Sequence, residues 1–166
     1  SVPGASEVFE RGFVLYHESA KATGLGVSAA ISEKYGAVSS TVTGALAEGG
    51  LVNSTAGLTI AVTGYAGPGG GNLNDPVGTC YMAVARSDGK TVVERSCFEG
   101  GREVVRISAV NAALTLASKM LNENLGTLSV RTLASKNEPK INFSKTDKLD
   151  DNIVLDLEYS VLMPIL

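Results

Sequence analysis

The dipeptide Asp88-Gly89 stands between two apolar runs, 77–86 and 91–98. An Asp-Gly pair in this setting is a strong short-range signal of a β-hairpin. A hairpin commits the fold to a sheet with at least one antiparallel pair of strands. If Asp88-Gly89 is a two-residue turn, we expect Cys80 and Cys97 to face each other across the hairpin.

The two cysteines are the only ones in the chain. Facing each other, Cys80 and Cys97 could form a disulfide. Two reduced, buried thiols are the favoured interpretation, because disulfides are rare in cytosolic proteins.

Other segments carry helix and strand signals. The β-branched and aromatic residues of 8–16 predict a strand, and 58–63 reads as a short strand of the buried type. Helices are predicted from Ser28 to a stop at Gly36, from Ser39 or Ser40 to a stop at Gly49-Gly50, and over about 101–124. The apolar stripe of the last helix comprises Val105, Ile107, Val110, Leu114, Leu121 and Leu125. This order predicts an α/β layered domain with a mixed sheet over residues 1–125.

The composition shifts after Gly126, and residues 126–166 form a separate tail in this interpretation. Residues 134–152 read as a loop. Residues 153–162 alternate between apolar and polar side chains, which predicts a half-buried strand.

Composition excludes several classes of protein. A chain of 166 residues forms about one domain, and no apolar stretch approaches the ~18 residues of a membrane span. The net charge of −3 offers no field that would recruit nucleic acid or an anionic membrane. One histidine and two cysteines exclude a zinc site built on several such ligands, so we expect no metal and no cofactor. We expect a cytoplasmic location.

A glycine-rich loop, 64–76, follows the buried strand and holds five glycines and two prolines. Backbone N–H groups of such a loop can approach a phosphate closely, and ligands of α/β sheets often bind beyond the carboxyl ends of strands. The loop lacks the Gly-Lys-Ser/Thr of a P-loop, and a flexible surface connection explains it equally well.

Charged side chains suggest two further sites. Arg102 and Arg106 lie at the start of the long helix, where they could clamp an anion or pair with Glu99 and Glu103. Lys21 could act as a base if it is partly buried, although a surface role is the commoner one.

Several segments together resemble the carboxy-terminal domain family of CinA, which includes the nicotinamide-nucleotide amidases. The resemblance spans roughly residues 3–122 and rests on FERGFVLY followed by Ala20-Lys21, GAVS at 36–39, TGYAGPGG at 63–70, PVGT at 76–79, and FEGGR with Val105-Arg106 at 98–106. It implies a three-layer α/β/α domain, usually oligomeric, that hydrolyses the carboxamide of nicotinamide mononucleotide. In that family a serine in an AESCTGG segment attacks the amide, assisted by a lysine and a tyrosine.

Carried over by motif, the lysine is Lys21 and the tyrosine is Tyr16. The resemblance assigns ligand binding to Gly64, Ala66, Gly67, Pro68, Gly69, Gly70, Thr79, Arg102 and Arg106. The AESCTGG segment has no counterpart between Ser1 and Val8, so we expect either that the parent sequence continues before Ser1 or that another polypeptide or subunit supplies the serine. The alternative is a catalytically inactive module that binds a nucleotide or a protein, and in it the strand at 153–162 could fill the sheet position left vacant.

Overall fold

The computed structural model describes residues 3–132 and 159–162, with side chains up to residue 123. The helices and strands follow in chain order: α1 (Ala5–Val8), α2 (Glu18–Leu25), α3 (Ala29–Tyr35), α4 (Ser40–Val52), β1 (Leu58–Gly64), β2 (Thr79–Arg86), β3 (Thr91–Cys97), α5 (Arg102–Thr132) and β4 (Tyr159–Leu162).

One mixed sheet organises the domain, in the order β3-β2-β1-β4. The pairs β1·β2 and β2·β3 are antiparallel, whereas β4 runs parallel to β1. The mixed sheet is therefore confirmed. Strand β4 lies within the range predicted as a strand, whose residues 153–158 are outside the described part of the chain. It occupies the free side of β1, within the main sheet.

Helices cover both faces of this sheet. On one face, Val105, Ala109 and Met120 of α5 pack on Ile60 and Met82. On the other face, Leu25 of α2 and Val42 and Leu46 of α4 pack on Ala61 and Ala83. Alternate residues of β1 and β2 thus face opposite layers, as the two-residue period of a strand requires. The three-layer α/β/α architecture is confirmed.

Serine caps explain where two helices begin. The side chains of Ser28 and Ser39 accept backbone N–H groups of the first turns of α3 and α4, as predicted. The predicted stop at Gly49-Gly50 is wrong, because both glycines lie inside α4. A Cβ on Gly49 would collide with the carbonyl oxygen of Leu25, so this glycine serves close helix packing.

The hairpin is present, but its predicted register is wrong by one residue. Arg86 N–H donates to the carbonyl of Lys90, and Gly89 has a φ of 89°. The loop therefore holds three residues and ends on a left-handed glycine, which is the next most common hairpin type. Cys97 lies opposite Thr79 rather than opposite Cys80. The two cysteines therefore point to opposite faces of the sheet and both are free, Cys80 buried and Cys97 exposed.

Residues 8–16 do not form the predicted strand. Val8 ends α1, Phe9 makes an isolated bridge, and 10–16 pair with none of the described strands. Phe13 and Leu15 pack against the core, whereas Val14 and Tyr16 are 83% and 72% exposed. The segment has the alternating pattern of a strand without a neighbouring strand to hydrogen-bond with.

Helix α5 is longer than predicted and buries a different stripe. Of the predicted stripe within the described side chains, Val105 is buried, Val110 and Leu121 are half-buried, and Ile107 and Leu114 are 56% and 50% exposed. The helix packs on the sheet through three alanines, whose small side chains let it approach closely, together with Val105, Leu116 and Met120. Among the described residues, the stretch Arg102–Glu123 is also the one helix long and apolar enough to cross a membrane, a criterion that core helices meet as well.

Candidate functional site

Three elements meet at the carboxyl end of β1. Thr43 in the first turn of α4 hydrogen-bonds through Oγ1 to Thr63 Oγ1 at 2.7 Å, so α4 begins at this end. The first residue of α5, Arg102, donates from Nη1 to the carbonyl oxygen of Gly67 at 3.2 Å. The glycine-rich loop therefore leaves β1 between two helix N-termini, whose positive partial charge favours an anion.

The first half of the loop is tied to β2. Tyr65 N–H donates to the Thr79 carbonyl at 2.9 Å, and Gly78 N–H donates to the Tyr65 carbonyl at 2.7 Å. Gly67 has a φ of 87°, and a Cβ there would lie 2.8 Å from Val77. A side chain at Gly67 would therefore be strained twice, by backbone conformation and by space.

The second half of the loop is held by a charged cluster. Asp75 Oδ1 accepts from Tyr81 Oη at 3.0 Å and from Arg95 Nε at 2.9 Å. Arg95 also donates to the Asn74 carbonyl at 2.8 Å. Burial and the hydrogen bond to Asp75 raise the pKa of Tyr81. The loop is thus fixed at both ends and is not a free surface connection.

The loop residues that the family resemblance assigns to ligand binding separate into a buried group and an exposed group. Gly64, Ala66, Gly67 and Thr79 are buried, and Ala66 packs into the core beneath α5. Pro68, Gly69 and Gly70 are exposed at the tip. A ligand can reach the tip and its backbone, whereas the side chain of Ala66 serves packing. Thr79 Oγ1 is buried and has no hydrogen-bond partner among the described residues.

Arg102 and Arg106 lie one turn apart and are both exposed. Arg102 touches the loop, whereas Arg106 borders a shallow concavity of about 260 Å³ together with Glu103, Ile107, Val110 and Asn111. The structure places Arg102 beside the loop tip and Arg106 one turn further along α5.

Lys21 is unusual for a charged residue because it is buried. It is only 2% exposed, and its Nζ lies 3.0 Å from Glu18 Oε1. Tyr16 is 72% exposed, and in the described residues no hydrogen bond joins it to Lys21. His17 caps α2 by accepting from Ser19 N–H at 3.3 Å. No hydrogen bond or ion pair within 3–123 connects Lys21 to the glycine-rich loop.

The predictions from the sequence did not indicate that Glu18 would pair with Lys21, or that Asp75, Tyr81 and Arg95 would form a cluster. Glu18 stands three residues before Lys21, a spacing that brings side chains together on a helix. The ion pair between Glu18 and Lys21 could have been predicted from that spacing. The Asp75–Arg95 contact joins residues far apart in sequence, and no local pattern predicts it.

A mixed sheet with helices on both faces places this domain among the three-layer α/β/α proteins. The profile of the CinA C-terminal domain family matches residues 1–121. The chain belongs to this family.

Named relatives agree with this assignment. The nicotinamide-nucleotide amidohydrolase PncC of Enterobacter agglomerans is 40% identical over 74% of this chain and 75% of its own length. A putative competence-damage inducible protein of Caldicellulosiruptor bescii is 41% identical, and the match covers 73% of this chain but only 29% of that protein. The crystal structure of the competence/damage inducible protein CihA from Agrobacterium tumefaciens superposes with a TM-score of 0.69 at 36% identity, covering 71% of this chain and 72% of that one.

Proposed function

We propose that this chain hydrolyses the carboxamide of nicotinamide mononucleotide to nicotinate mononucleotide and ammonia. Membership of the CinA C-terminal domain family and the similarity to PncC amidohydrolases support the proposal. The observation that carries it is the contact between Arg102 and Gly67, because it brings a cation, a helix N-terminus and a glycine loop to one place.

The phosphate of the nucleotide binds at this place in our proposal. The exposed tip residues Pro68, Gly69 and Gly70 offer their backbone, and Arg102 offers a guanidinium that makes one hydrogen bond, to Gly67, among the described residues. Arg106 adds a second positive charge one turn along α5. The buried residues Gly64, Ala66, Gly67 and Thr79 hold the shape of the loop and the start of β2.

Lys21 serves as the base in the proposed reaction. Its neutral amine takes the proton of an attacking hydroxyl group, which bonds to the carboxamide carbon. The carbon–nitrogen bond then breaks, and the same proton passes to the departing nitrogen, which leaves as ammonia. Where the attacking hydroxyl belongs to a serine, water then cleaves the resulting ester: Lys21 takes a proton from the water and returns it to the serine oxygen, and nicotinate mononucleotide is released. Tyr16 assists as a hydrogen-bond donor once substrate brings the two side chains together.

The test is ammonia release from nicotinamide mononucleotide. We expect activity in the wild-type chain, and a loss of several orders of magnitude in kcat/KM for Lys21→Met, which keeps most of the buried volume. Lys34→Met on α3 is the matched control, because Lys34 is exposed. Full activity of a folded Lys21→Met variant would overturn the assignment.

A second candidate function is binding without catalysis. Tyr16 is exposed, and among the described residues no serine hydroxyl is hydrogen-bonded to Lys21. Both observations favour a catalytically inactive module that binds a nucleotide or a protein. Calorimetric binding of nicotinamide mononucleotide without ammonia release would support this function over hydrolysis.

Homo-oligomeric assembly and a cytoplasmic location belong to the same proposal. Ile107, Val110 and Leu114 form an apolar strip on α5 at the spacing of a coiled-coil seam, and a second copy of the chain would cover it. Sedimentation equilibrium should show a dimer or larger assembly that Leu114→Glu weakens. A wild-type monomer at high micromolar concentration would contradict the assembly.

A further inference from the structure

Lys21 places its amine where water barely reaches. Its side chain is 3% exposed, and an ammonium group removed from water needs a compensating partner. Within the described residues, the Nζ group has one hydrogen bond, to Oε1 of Glu18. Glu18 lies one helical turn before Lys21 on the same face of α2.

Glu18 is itself held from a second helix. Its Oε2 atom is buried, as is Oγ of Ser32 on α3, and neither atom has a hydrogen-bond partner among the described residues. The hydroxyl group of Ser32 is the largest cause that lowers the pKa of Glu18, followed in that direction by Lys21 and then His17. The Glu18 side chain as a whole is 40% exposed, so α3 shields part of the carboxylate and water reaches the rest.

Exposed ion pairs on helices contribute little because both side chains move freely in water. The pair here differs, because its lysine is buried and only its glutamate is partly exposed. We propose that Glu18 is the positioning residue of Lys21: its carboxylate fixes the direction of the Lys21 amine within the domain. The inference rests on the proposed function in so far as it makes Lys21 the reacting lysine. Glu18 touches no substrate in this assignment and acts only through Lys21.

The first test observes the amine directly and needs no activity. A hydrogen-bonded, buried lysine ammonium exchanges its protons slowly enough to give a ¹H–¹⁵N resonance in mildly acidic solution at low temperature. We expect such a signal in the wild-type chain, assigned by its absence from Lys21→Arg. Glu18→Gln should remove or shift it while the backbone amide spectrum is retained. Glu33→Gln, an exposed glutamate of α3, is the matched control and should leave it in place.

The second test uses catalysis. If Glu18 positions the base, Glu18→Gln should lower kcat at least tenfold and leave KM within twofold, because substrate binding does not involve Glu18. Glu18→Asp keeps the charge but shortens the side chain. It should also shift the Lys21 signal. If Glu18→Gln does not fold, Glu18→Asp serves to test whether Glu18 positions Lys21.

The outcomes separate the two proposals. A Lys21 resonance that is absent from the wild-type chain, or unchanged by both substitutions at Glu18 in folded protein, overturns the positioning role whatever the activity. A wild-type chain that releases no ammonia overturns the proposed hydrolysis, while the spectrum still decides whether Glu18 holds Lys21.

Discussion

At the scale of single residues, the two cysteines have opposite surroundings. Burial raises the pKa of Cys80 to about 11, so this thiol stays protonated and shielded near neutral pH, whereas Cys97 is exposed. We expect an aromatic disulfide reagent at pH 8 to modify one thiol in the folded chain, and two after denaturation. Cys97→Ser should abolish the fast reaction, and Cys80→Ser should not. Two fast thiols, or none after denaturation without reductant, would contradict this prediction.

Arg102 is the residue whose loss should affect ligand binding most. Arg102→Ala removes a guanidinium that already touches the loop, and a charge-assisted contact with phosphate contributes about 1.5–3 kcal/mol. KM for nicotinamide mononucleotide should therefore rise about 10- to 100-fold, while kinetics with the riboside, which lacks the phosphate, should change little. Arg11→Ala, on the segment before α2, is the control. Equal losses on both substrates would place the role of Arg102 in folding.

At the scale of helices and strands, Gly49 shows how packing overrides local signals. The glycine lies inside α4, where glycine normally weakens a helix, because an added methyl group would meet the backbone of Leu25. Gly49→Ala should therefore lower the free energy of unfolding by about 1–3 kcal/mol, as overpacking does, instead of raising it. Urea unfolding measures this, with Gly57→Ala as the control, since open space surrounds Gly57. A more stable Gly49→Ala variant would show that α2 and α4 are not in close contact.

The helices and strands also show which parts of the fold could be predicted from the sequence. Caps at Ser28 and Ser39 act within one turn, so both helix starts were predictable. The hairpin was predictable too, but Asp88-Gly89 fits two loop lengths, and the choice of the three-residue loop moved Cys97 opposite Thr79. For 8–16 the alternation is real, yet a strand also requires a neighbour, which no local pattern supplies. Of the site, the loop could be recognised by composition, whereas its contact with Arg102 depends on the fold.

At the scale of the whole molecule, the sheet brings distant segments together at the carboxyl end of β1. Strand β1 directs the loop outward, α4 begins beside its end, and α5 begins where the loop turns back. The far side of β1 is covered by β4, paired from Leu58↔Tyr159 to Ala61↔Leu162. The strand that carries the loop is thus flanked on both sides, by β2 and by β4.

Removing β4 should expose the backbone of β1 along one edge. An open edge lacks hydrogen-bond partners and invites pairing between chains. Truncation after residue 158 should therefore lower Tm by several degrees and increase aggregation on heating, since about 1 kcal/mol corresponds to roughly 2–8 °C in domains of this size. Truncation after residue 162 is the control because it keeps all four paired residues. Equal melting temperatures for the two truncated chains would show that β4 does not stabilise the sheet, and the edge of β1 would then be open to a strand from another segment or chain.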